Sequence, residues 1–426
     1  MNKNDLFQRC FIDQKRYPTD DLIDDIPHEL FVRGICVKED DKLVFKCTGF
    51  ILAQNEIYIV FPKGYVIPKD EDVLKKHVRL LISVLEKYSD EKKHLDPYEE
   101  SLLGGLGNNQ NRIASAFWLI KDYFDYGIID YIQEEYGINQ SNNINWARTI
   151  KSTQPLISNG SPIYIDLVTK KKERTKNIIT EIHNYVVEES LRMYGWLFDY
   201  DKEIDNKFNF PCEEDLAIHL LELEIQKTFE DRKVNLYLNL KEFIIGSRNE
   251  SREKITTFVT PYFHIVWEKM CYFIFANDND ELPSLPKPFW EVLGKQARTE
   301  QKPDIMYKEE GVLFILDAKY YTITFAPKKL PGWGDLVKQL FYRHTLMKNE
   351  QDIIENVFLF PGQTKKGIEY LGYAALEEVD DSLRLGKING YVLDIYTMMY
   401  YYVNINKGNF RNKLTSLITE MNNTKN

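Results

Sequence analysis

Cysteine is scarce and scattered: Cys10, Cys36, Cys47, Cys212 and Cys271 are the only five in 426 residues. The number is odd and no C-x-x-C pair occurs, so neither a disulfide framework nor a cysteine zinc knuckle is indicated. A reducing cytoplasm is the expected setting. The seven histidines form no H-x-H or H-x-x-x-H pair, so zinc-ligand spacing is missing as well. With 21 Gly, 16 Pro and no heptad or longer repeat, collagen-like and coiled-coil classes fall away. Apolar runs such as 312–316 and 396–403 are far short of the roughly 20 residues a bilayer requires, and no membrane association is expected. The opening MNKNDLFQRC lacks the apolar stretch of a secretory signal. No G-x-x-x-x-G-K-[ST] loop is present, so the chain has no nucleotide site of its own and any nucleotide-driven step belongs to a partner.

What is present is the composition of a folded protein: 43% hydrophobic, 28% charged, and long enough for two or three domains with their own cores. The net charge of -10 argues against coating nucleic acid by bulk electrostatics. That charge is unevenly spread, since residues 241–426 sum to zero and the whole deficit lies in 1–240. An acidic half beside a neutral half implies separate duties, the first suited to docking a partner.

Three regions are expected, giving an α+β multidomain chain. Residues 1–95 read as a β-rich docking or recognition module, because 29–62 alternates β-branched and aromatic residues with polar ones; a helix over 70–87 follows. Residues 110–250 read as a mainly helical middle region, with helices over 113–136, 173–197, 213–231 and 234–245. There, INWARTI (144–150) and SPIYIDLV are taken as short strands or extended segments. Residues 251–426 read as an α/β domain with a mixed sheet: a helix at 264–276, strands at 303–307, 312–321, 356–362 and 391–396, and a helix at 335–348.

The sharpest chemistry sits in this last region. Pro303-Asp304 is followed, after twelve residues, by Asp317-Ala318-Lys319. On a strand, residues two apart share a face, so a hairpin would bring Asp304, Asp317 and Lys319 to one spot. Asp317 also follows four strongly apolar residues, and an acid there is costly unless paired with a cation or metal. Paired carboxylates with open positions suit Mg²⁺, with Mn²⁺ as a possible substitute. Glu268, on the helix before the hairpin, could add a third carboxylate, and Gln339, on the helix after it, an amide near the site.

WEK (267–269), PD (303–304), DAKYY (317–321) and DLVKQLFY (335–342) resemble the PD-(D/E)XK nuclease core as it occurs in the LlaJI family of restriction endonucleases, a family similar in style to McrC nuclease subunits. FPKGY (61–65), LIKDYFDYGI (119–128), INWARTI, SPIYIDL and NIITEIHNYVVEE (177–189) agree with the same family, in order, over most of the chain. The resemblance implies a bacterial restriction subunit that cuts foreign duplex DNA beside an McrB-like AAA+ GTPase. It also implies that Asp304, Asp317 and Glu268 hold Mg²⁺, that Lys319 is the catalytic lysine, and that Gln339 is the helix glutamine. Arg343, rather than Tyr, stands four residues after Gln339, which departs from the Q-x-x-x-Y pattern of some relatives.

Basic residues that could track DNA backbone are Arg148, Lys170, Lys171, Lys172, Lys365 and Lys366. Against each stands a solvated loop, a helix start or a packed corner. LLGGLGNNQ (102–110) lacks the lysine of a phosphate cradle. A non-catalytic adaptor, a repair or recombination nuclease, and a homo-oligomer all stay open on the sequence alone.

Overall fold

The β-branched and aromatic runs at 48–61 form two antiparallel strands, Thr48–Ala53 and Glu56–Phe61, nearly all of whose residues are buried. Cys10–Ile12 lies parallel to Glu56–Phe61 on one side. On the other, Ile255–Thr260 pairs antiparallel with Thr48–Ala53 and completes a four-stranded sheet. In the computed structural model the described residues are 9–19, 26–53, 56–91, 96–103, 112–175, 177–200, 209–253, 255–276, 282–298, 302–323, 330–347, 353–377, 385–407 and 409–423. They build a mixed α/β protein that divides into two units, Met1–Asn109 with Glu253–Asn426, and Gln110–Arg252.

The first unit therefore joins what the sequence reading separated as 1–95 and 251–426. The reason is the strand Ile255–Thr260, whose Ile255 and Val259 sit in one apolar cluster with Phe11, Leu30, Phe45 and Val60. Each such side chain contributes about 1.5–3 kcal/mol when buried, so neither segment has a complete core alone. Gly49 (φ 142°) permits this pairing, since a Cβ there would stand 2.2 Å from the Phe258 carbonyl oxygen. Gly64 (φ 77°) does the same at a second seam, where a Cβ would stand 2.5 Å from the Pro361 carbonyl oxygen. The long helix Glu71–Glu91 packs against Ile395–Val403: Lys87 donates to the Tyr402 carbonyl at 2.6 Å, and the Tyr402 hydroxyl donates to Glu91 at 2.6 Å.

At the heart of this unit is a five-stranded mixed sheet in the order Ile305–Glu309, Val312–Ala318, Ile354–Gly362, Ile388–Asp394, Ile368–Ala374. The first and last pairings are antiparallel and the middle two parallel. One face meets the helix Phe263–Phe275, through Phe275, Tyr307 and Phe314. The other meets Trp333–Leu346, whose Tyr342 and Leu346 cluster with Leu313, Ile315 and Ile354. Several elements differ from expectation at the C-terminal end. The last strand stops at Asp394, whose carboxylate accepts from Thr397 N–H at 2.9 Å and caps the helix Ile395–Val403. The strand Ile368–Ala374 and the helix Phe410–Asn423 were not read from the sequence.

The second unit contains strands as well as helices. Arg112–Tyr126, Ile178–Tyr194 and Asp231–Glu253 are helical, and Arg232 clasps Asp122 with two 2.8 Å bonds. Residues 131–138 form a strand instead of continuing the first helix, and pair with Val168–Thr175. Trp146–Ser152 is a helix, not a strand, because Asn145 caps it by accepting from Arg148 N–H at 3.0 Å. Most of the Gly-rich 102–110 lies outside the described residues.

Candidate active site

Val312–Ala318 is a central strand, which is why Leu313–Leu316 are buried. Its odd-numbered residues face the helix Trp333–Leu346, and Asp317 continues that face to the strand end, 3% exposed. The hairpin turns at Glu310 and Gly311, both with positive φ. Its register pairs Ile305 with Leu316, so one further step sets Asp304 opposite Asp317. Asp304 accepts a 3.0 Å bond from Ala318 N–H, which locks it there.

Lys319 closes the cluster. Its backbone N–H donates to the Leu359 carbonyl, prolonging the parallel pairing by one residue, while its ammonium lies 2.6 Å from Asp317 and 2.7 Å from Asp335. Asp335 sits in the first turn of Trp333–Leu346, where its other oxygen accepts from Gly332 N–H at 3.3 Å. Lys338, on the same helix, stands 3.9 Å from Asp317.

The electrostatics follow from burial and crowding. Burial, then the charge of Asp317 and a hydrogen bond between the two carboxyl groups, push Asp304 up to about 7. Burial and the Asp317 charge also raise Glu268 on the neighbouring helix. Burial disfavours the Lys319 charge, yet its bonds to Asp317 and Asp335 outweigh that and hold its pKa above the ordinary lysine value. Two carboxylates that repel each other beside a firmly protonated lysine form a hard-oxygen donor pair of the kind that takes a divalent cation. Among the described residues no third Asp, Glu, His or Cys joins them as a ligand cluster. Glu268 and Asp304 line a cleft of about 680 Å³ together with Tyr272 and Tyr402.

The model of the family described as LlaJI restriction endonuclease matches residues 47–402. The chain belongs to this family. Among curated proteins it is similar to the type II restriction enzyme BsuMI component YdjA of Bacillus subtilis (strain 168), 26% identical over 355 residues, covering 77% of this chain and 75% of that one. A solved assembly of Thermococcus gammatolerans McrB AAA+ hexamers with bound McrC matches 96% of this chain and 99% of the compared chain at 14% identity and a TM-score of 0.42.

Of the residues the LlaJI resemblance singles out, Asp304, Asp317 and Lys319 converge, with Glu268 close enough for its charge to be felt. Gln339 does not reach the carboxylates. It is 1% exposed, and its amide donates to the Ile315 carbonyl at 2.7 Å, bracing the strand that carries Asp317. The FPKGY segment reaches the same strand end, as Lys63 N–H donates to the Tyr320 hydroxyl at 2.8 Å. Lys365 and Lys366 form an exposed turn just past the end of Ile354–Gly362, at the sheet end that bears Lys319. In the second unit, Lys170 is ion-paired with Glu134, and Arg148 lies over the Tyr136 ring at 3.9 Å. Lys171 and Lys172 stand on the strand opposite Glu135 and Glu134. Asp335 was given no role from the sequence, although it opens the DLVKQLFY segment and is an acid at the third helical position after Pro331-Gly332.

Proposed function

We propose that this LlaJI-family chain is the Mg²⁺-dependent endonuclease subunit of a restriction system, hydrolysing phosphodiester bonds of duplex DNA through a PD-(D/E)XK core. The observation that carries the reading is the convergence of Asp304, Asp317 and Lys319 at one end of a mixed sheet. Asp304 and Asp317 would hold the cation, with substrate phosphate and water completing its shell. When bound, Mg²⁺ supplies a Lewis acid that activates water and neutralises charge on the phosphate. The Lys319 ammonium would donate hydrogen bonds to the attacked phosphate or its water, and Asp335 would fix it for that task. The Glu268 carboxylate, in the cleft lining beside Asp304, would accept the proton that the attacking water loses.

The chain has no nucleotide-binding loop and carries its negative charge in 1–240, which supports an McrB-like AAA+ GTPase as its working partner. The similar Bacillus protein, named as one component of an enzyme, fits a multi-chain system.

Plasmid cutting tests the proposal. With Mg²⁺ and an McrB-like AAA+ GTPase as partner, the wild type is expected to linearise unmethylated plasmid, and Lys319→Ala to lose at least roughly 10²–10³-fold in rate while remaining folded by circular dichroism. Equal cutting by the two proteins sinks the assignment. Tight binding to the GTPase without any cutting identifies an adaptor instead.

A further inference from the structure

Between the helix Phe263–Phe275 and Asp304 stands a β-ribbon that the nuclease reading leaves unused. Phe289–Val292 and Lys295–Arg298 pair antiparallel, with Phe289 opposite Arg298 and Val292 opposite Lys295. The turn places both Leu293 (φ 51°) and Gly294 (φ 73°) in the left-handed region, as a tight two-residue hairpin requires. Every residue of both strands is exposed, including Trp290 at 67%, with Leu293 at the tip at 98%. A two-stranded ribbon with no face buried is marginal in water, and large apolar side chains held there are costly unless something covers them.

Leu285 packs on the cluster of Leu313, Ile315 and Tyr342, and the Tyr342 hydroxyl donates to the Lys302 carbonyl at 3.3 Å. Leu285 before the ribbon and Lys302 after it are thus held by the helix and strand that carry Asp335 and Asp317. Arg298 precedes Asp304 by six residues, so the ribbon base lies within about 20 Å of the carboxylates. Its net charge is complementary to phosphate: the two strands carry Lys295 and Arg298 and one acid, Glu291, which receives the amide of its cross-strand partner Gln296 at 3.4 Å. Alternation sets Trp290, Val292, Lys295 and Ala297 on one face.

We propose that this ribbon grips the duplex beside the scissile phosphate. Lying in the major groove, which admits a two-stranded β-ribbon, it sets Trp290 and the tip residue Leu293 against sugar and base edges, with Lys295 of the Trp290 face on a phosphate of one backbone and Arg298, from the opposite face at the ribbon base, on a phosphate of the other. The inference rests on the nuclease reading, and its test separates the two.

The test uses full-length protein carrying Lys319→Ala, so that DNA stays intact, with p-benzoylphenylalanine at Leu293, irradiated with a short duplex. A protein–DNA crosslink is expected. In the same background, Lys295→Ala with Arg298→Ala should lower duplex affinity by roughly tenfold or more and reduce the salt slope of log K by about two. Undiminished affinity and slope, without a crosslink, in a protein that binds duplex overturn the ribbon assignment alone. A crosslink to a protein partner in place of DNA overturns it too. Absence of duplex binding in every form overturns the nuclease reading, and the ribbon with it.

Discussion

Asp304 is where the chemistry of the site is most exposed to measurement. Its carboxyl is raised from 3.8 to about 7, so between these values the folded protein holds a proton that the unfolded chain releases. With the folded state binding more protons, stability falls as pH rises from about 4 to 7. A divalent cation competes with that proton. In Mn²⁺ titrations followed by calorimetry, affinity should therefore climb through pH 7, and the melting temperature gained on adding Mg²⁺ should be larger at pH 8 than at pH 6. Asp304→Asn keeps the oxygen that accepts from Ala318 N–H, and should abolish the cation-dependent gain while raising the metal-free melt at pH 8. A pH-independent metal affinity would refute the pairing. Asp304, Asp317 and Lys319 were legible in sequence because strand alternation and hairpin register are local rules. Asp335 was not, since its contact with Lys319 depends on where a helix sixteen residues downstream comes to rest.

At the level of the element, the helix Trp333–Leu346 supports the site at several points. Asp335 holds Lys319, Lys338 approaches Asp317, and Gln339 donates to the Ile315 carbonyl. Among the described residues the buried Gln339 side-chain oxygen has no partner, so it braces the strand at some cost. Gln339→Met should destabilise the protein by about 1–3 kcal/mol in denaturant melts and leave Mn²⁺ affinity unchanged. Loss of metal binding with full stability would instead make it part of the ligand shell. The helix itself was readable from its apolar period. Trp146–Ser152 was not, because its β-branched and aromatic residues favour a strand, and the cap from Asn145 decides otherwise.

On the scale of the whole molecule, the first unit is assembled from both ends of the chain. That strands occur at 48–61 was plain from alternation, but the partner of Thr48–Ala53 lies about two hundred residues away, and pairing at that range leaves no periodic trace. Gly64 sits on the seam between the two segments. Gly64→Ala combines a left-handed φ with a collision against Pro361, and should cost about 1–3 kcal/mol. Thermal melts should show this loss, and cutting should decline in step, although Gly64 touches none of the reacting groups. A melt equal to wild type would show that the seam carries no stability.

Synthesis runs from the N-terminus, so Thr48–Ala53 leaves the ribosome long before Ile255–Thr260 can cover its open edge. At about 5–20 residues per second, the two hundred or so residues between the two strands keep that edge waiting for roughly 10–40 s. An unpaired apolar strand is a template for aggregation. Folding of this chain in the cell is thus a matter of shielding a half-made sheet, and chaperone capture of nascent chains should peak while the second unit is being translated.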